Sequence, residues 1–173
     1  MIIDIREDLP DFLAYIQERV EEHIAGTKDS ESSKPVTYIE FGFEFGQGNE
    51  LWLVIDTRPN AEPDGQWTQQ IGKIRELGRP HWPIWHDLPD DEVVYFIDLN
   101  GNQINVMDNP DEQICEIIGE AMKQALLTSR DNGVFRALPT AEACELAVEN
   151  LEGFYGWPIY ADRGKENLLQ ENA

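Results

Sequence analysis

The residues of this chain best suited to chemistry are concentrated between positions 58 and 91. His81 and His86, followed by Asp87, Asp90 and Asp91, offer the nitrogen and oxygen donors that zinc or another divalent ion accepts. Their spacing argues against a metal site: five residues do not align two imidazoles on one helical face, and Pro83 stands between them. Packing and hydrogen bonding account for both histidines, so no metal and no cofactor is expected. In the same segment, Pro63-Asp64-Gly65-Gln66 reads as a tight turn that presents Trp67. Arg79-Pro80-His81-Trp82-Pro83-Ile84-Trp85 reads as an extended, semi-rigid run whose rings suit a groove or an interface anchor. Trp67, Trp82 and Trp85 would line such a pocket while Arg75 or Arg79 holds an anionic group. The plainer alternative is that Trp82 and Trp85 cover the end of the sheet core.

Catalytic patterns are absent from the sequence. There is no G-x-S-x-G, no P-loop, no H-E-x-x-H and no cysteine beside a plausible base. Gly46-Gln47-Gly48 follows a strand pattern but leads into another strand, so it lacks the helix N-terminus that cradles a phosphate. Paired carboxylates occur throughout, which makes any acid/base pair arbitrary. His81 or His86 would be the general base of an enzyme; the expectation leans instead towards a binding protein.

Charge narrows the partners. Thirty-four Asp and Glu against 13 Lys and Arg leave a formal net charge of −21. Such a field repels phosphate backbones and anionic lipids, so neither nucleic acid nor a membrane surface is an expected partner, and a basic protein is. Within it, Arg58, Lys73, Arg75 and Arg79 against Glu62, Asp64 and Glu76 make a small basic island. The acidity equally suits a protein kept soluble in a salty host. The start of the sequence lacks a basic region followed by a continuous apolar run, and no apolar run approaches the ~20 residues of a membrane span. Cys115 and Cys144 fall within apolar patterns without C-x-x-C spacing, as buried thiols of a reducing, cytoplasmic compartment do.

The elements that must position these residues follow from periodicity. Leu9, Phe12, Leu13, Ile16, Val20 and Ile24 recur at helical spacing after Asp8 and before Gly26. Residues 36–45 alternate Tyr38, Glu40, Gly42 and Glu44 with Ile39, Phe41, Phe43 and Phe45, then turn into Leu51–Ile55, a first hairpin. Residues 93–99 and 103–107 flank Asn100-Gly101, which suits a two-residue turn, a second hairpin. A helix starts at Asn109 with Pro110 at its first position and Glu112 three residues after the cap, burying Ile114, Ile117, Ile118, Ala121, Ala125 and Leu126. A third helix is expected over residues 140–151, burying Ala143, Cys144, Ala147, Val148 and Leu151. The predicted fold is α+β: an antiparallel sheet of two β-hairpins, with an N-terminal helix and two C-terminal helices packed on it. Residues 1–161 are read as one domain and residues 162–173 as a flexible tail.

Two functional readings follow. The first is an acidic inhibitor of the immunity type, which covers the active site of a basic toxin or nuclease with the outer faces of the second and third helices, Glu116, Glu120, Glu145 and Glu149. The chain resembles bacterial toxin-immunity proteins in size, acidity and α+β character, without a motif that carries the resemblance. The second is a small-molecule or peptide-binding regulatory module built on the Trp/Arg segment 58–91.

Overall fold

The computed structural model describes residues 1–27, 34–44, 50–57, 75–76, 93–106 and 110–157. In chain order they form β1 (Ile2–Asp4), α1 (Leu9–Thr27), β2 (Val36–Glu44), β3 (Glu50–Asp56), β4 (Arg75–Glu76), β5 (Tyr95–Ile97), β6 (Gln103–Asn105), α2 (Pro110–Asp131), β7 (Thr140–Asn150) and β8 (Gly156–Trp157). Short 3-10 turns occupy Ile5–Glu7 and Val134–Ala137.

The two-faced alternation of residues 36–44 places β2 at the middle of a five-stranded sheet, ordered β4-β3-β2-β7-β8. Its antiparallel pairing with β3 aligns Ile39 with Ile55, Phe41 with Leu53 and Phe43 with Leu51, which is the expected first hairpin. Those side chains form one face, and α1 and α2 cover it. Phe12 of α1 meets Phe41 edge to face with ring centroids 5.9 Å apart, and Tyr15 stacks on the same ring at 5.9 Å. Full burial of a ring such as Phe41 contributes about 1.5–3 kcal/mol. Of the expected apolar stripes, Phe12, Ile16 and Val20 on α1 are buried while Leu9, Leu13 and Ile24 are partly buried, and Ile114, Ile117, Ile118, Ala121, Ala125 and Leu126 on α2 are all buried.

The second hairpin, β5–β6, belongs to a separate three-stranded sheet in which β1 pairs with β5 in parallel. Ile3, Val94, Phe96 and Val106 carry this sheet into the same core cluster as the helices and the larger sheet. The single antiparallel sheet of the sequence reading is thus replaced by two mixed sheets. Local pattern finds hairpins, but strands paired across a large sequence separation leave no local mark.

The hairpin turn is also corrected. Ile97 pairs with Gln103, and the Asp98 N–H donates to the Asn102 carbonyl at 3.0 Å, leaving the three-residue loop Leu99-Asn100-Gly101 rather than a two-residue turn. Gly101 takes the left-handed position at φ 85°. The Asp98 carboxylate decides the outcome by accepting the Asn100 and Asn102 backbone N–H groups at 2.9 and 2.8 Å.

The largest correction concerns residues 140–150. They form β7, paired in parallel with β2 from Tyr38↔Glu145 to Phe43↔Asn150, and not a third helix. Ala, Glu and Leu favour a helix, and Cys144 and Val148 satisfy both a helical and an alternating pattern. Alternation prevails because Cys144, Leu146 and Val148 reach the core beside Ile39, Phe41 and Phe43. Leu151, expected in the core, is 52% exposed in the turn that follows.

Candidate protein-binding surface

Glu116 and Glu120 lie on the exposed side of α2, opposite the stripe that enters the core. Glu112, Glu116 and Glu120 follow one another at single-turn intervals, and with Asp111 they precede Lys123, the first basic residue of the helix. Like charges one turn apart destabilise a helix by roughly 0.2–0.5 kcal/mol per pair, and the positive helix start offsets this only near Asp111 and Glu112. Carboxylates repeated there work against the isolated helix and create a row of negative potential.

The row ends against the β7–β8 turn. The Tyr155 hydroxyl donates to Glu120 Oε1 at 2.8 Å, while Lys123 Nζ donates to both Glu120 oxygens at 3.1 Å and lies 5.7 Å from the centre of the Trp157 ring. Burial first, then the Glu120 hydrogen bond and the charges of Glu120 and Glu116, raise the Tyr155 phenol above its ordinary value and keep it a donor. The Tyr155 ring seats on Gly119, where a Cβ would overlap it.

Asn150 organises the turn itself. Its Nδ2 donates to the Phe43 carbonyl at 3.4 Å and to Glu152 Oε2 at 2.6 Å, and its Oδ1 accepts the Phe154 N–H at 3.1 Å. The Asn150 backbone N–H donates to the Tyr155 carbonyl at 2.9 Å, and its carbonyl accepts the Gly153 N–H at 3.0 Å. This network leaves Leu151 and Phe154 projecting, 52% and 46% exposed. Burial raises the Glu152 carboxyl, as does neighbouring Glu44, while the Asn150 bond works in the opposite sense.

Glu145 and Glu149 belong to a different surface. They alternate with the core-facing Cys144, Leu146 and Val148, and they align with Tyr38 and Gly42 of β2 on the far side of the sheet from α2. The four glutamates expected together on neighbouring helices are separated by the sheet into two pairs. On the Glu145 side lies a polar layer in which Glu40 accepts from the Tyr38 hydroxyl at 2.8 Å and from Trp52 Nε1 at 3.3 Å, with all three side chains buried. Trp52 lies across Gly42, where any Cβ would meet the indole.

Arg75 is in β4, opposite Leu51. Trp67, Arg79, Trp82 and Trp85 lie outside the described residues, as do His81 and His86 and the 162–173 tail. The exposed pair Leu151 and Phe154 and the Tyr155 seat are not foreseen from periodicity; Gly153 and Gly156 around Phe154-Tyr155 are the sequence signal of a tight aromatic turn.

A groove of about 730 Å³ runs between α1 and the end of α2, lined by Leu13, Gln17, Val20 and Ile24 on one side and Ser129 and Val134 on the other. Cys115 and Cys144 are free thiols, and burial pushes the Cys115 thiol up to about 12. Among the described residues no cluster of three or more His, Cys, Asp or Glu is arranged to hold a metal ion, and no helix is long and apolar enough to cross a membrane. No protein-family model, curated protein or solved structure matches the chain.

Proposed function

We propose that this chain is a protein-binding domain whose partner is a basic protein, in the manner of an inhibitor that covers a cationic toxin or nuclease. The observation that supports the reading is the Glu112-Glu116-Glu120 row on the exposed face of α2, within a chain of net charge −21. A row of this kind raises the association rate of a basic partner and orients its approach.

The test is retention of purified basic proteins, first identified from host lysate by mass spectrometry, at low and at high salt. Glu116→Gln with Glu120→Gln is expected to weaken retention, while Glu145→Gln with Glu149→Gln, on the other side of the sheet, leaves it largely intact. Retention of no basic protein at low salt, or loss caused only by the Glu145 and Glu149 pair, would overturn the reading.

A further inference from the structure

Large apolar side chains are exposed at two places among the described residues: Met1, Ile2 and Val93 at the start of β1 and β5, and Leu151 and Phe154 in the β7–β8 turn. The second adjoins the acidic row, because Tyr155, next to Phe154, is bonded to Glu120 and seated on Gly119. It is also held in place before any partner arrives. Five hydrogen bonds described above tie Asn150 to Phe43, Glu152, Gly153, Phe154 and Tyr155, and the Leu151 N–H donates to the Phe43 carbonyl at 2.9 Å. A protruding apolar pair on a pre-ordered turn, rimmed by charge, has the anatomy of an interface centre: apolar contacts supply affinity, and the rim sets orientation and rate.

Resting on the basic-partner reading above, we infer that Leu151 and Phe154 are the apolar anchors of the interface and that Glu116 and Glu120 form its rim. The surface this fits is an apolar pocket or side chain flanked by Lys or Arg on the partner. A purely cationic partner would leave the two anchors in water; a purely apolar one would bring no charge to meet Glu116.

The experiment is an NMR titration of the whole isotope-labelled chain at low salt with two probes, an amphipathic peptide alternating Arg with Leu and an oligoarginine of equal charge. The expected result is tighter binding of the amphipathic peptide, with amide shifts centred on residues 116–120 and 151–155. Phe154→Ser is expected to weaken that peptide about tenfold, equivalent to about 1.4 kcal/mol, and to leave oligoarginine unchanged. Leu151→Ser, also at an exposed position, provides a second variant, and the unperturbed amide spectrum of each confirms its fold. Equal affinity for the two peptides, with no effect of either substitution, overturns the anchors while the basic-partner reading stands. Shifts centred on Glu145 and Glu149 likewise overturn the anchors. Failure of both peptides to bind overturns the anchors and the basic-partner reading together.

Discussion

The ring of Tyr155 occupies the space above Gly119 that a side chain would fill, so a strand-end aromatic and the middle of α2 are joined without a gap. Gly119→Ala gains about 1 kcal/mol of helix propensity, but overpacking against the ring costs about 1–3 kcal/mol and displaces the hydroxyl from Glu120. The expected outcome in urea denaturation is a net loss of stability at unchanged m-value. A net gain would show that the ring moves aside freely.

Glu40 is buried with two donors directed at it, the Tyr38 hydroxyl and the Trp52 indole N–H. Removing the shared acceptor with Glu40→Ala is expected to cost about 1–3 kcal/mol and to change the tryptophan emission. Glu40→Gln, which retains an acceptor oxygen, loses less. Equal losses in the two variants would assign the effect to packing alone.

The Cys115 thiol is buried and raised to about 12, so almost none is thiolate at neutral pH. In native protein, iodoacetamide is expected to leave Cys115 unmodified for hours and to alkylate it within minutes in denaturant. Half-buried Cys144, also raised by burial, falls between these limits. Mass spectrometry of peptides from timed samples reads both.

Glu152 is raised in the folded protein, so its ionised form at neutral pH opposes folding. A carboxyl with a raised folded value loses stability as pH climbs from the unfolded value through the folded one. Glu152→Gln is therefore expected to raise the melting temperature at pH 7. That advantage shrinks as pH falls through the folded value and vanishes below the ordinary glutamate value of about 4.3. An advantage independent of pH would assign the effect to something other than ionisation.

Ser129 is 1% exposed, and its hydroxyl has no hydrogen-bond partner among the described residues. Replacing a buried, unsatisfied hydroxyl in a helix with a methyl removes a desolvation penalty and improves propensity. Ser129→Ala is expected to stabilise by about 1 kcal/mol in chemical denaturation. A loss of that size would reveal a partner for the hydroxyl in solution.

What could be read in advance was whatever repeats locally. Phe12, Ile16 and Val20 at the centre of the α1 stripe, the α2 stripe from Ile114 to Leu126 and the facing residues of the β2–β3 hairpin are all buried as their spacing requires, while Leu9, Leu13 and Ile24 are partly buried. Residues 140–150 misled because Cys144 and Val148 fit two periods at once, and the deciding neighbours lie in β2, about a hundred residues earlier. The same error joined Glu145 and Glu149 to the helix faces and hid Leu151. Phe154 and the Tyr155 seat needed β8, whose two residues are too short for any pattern to show.

The parallel pairing of β2 with β7 also orders events in time. Phe43 and Asn150 lie 107 residues apart, so at roughly 5–20 residues per second the ribosome needs about 5–20 s to deliver the second strand after the first. The β2–β3 hairpin can close early, but the opposite edge of a phenylalanine-rich strand waits, exposed, for a neighbour.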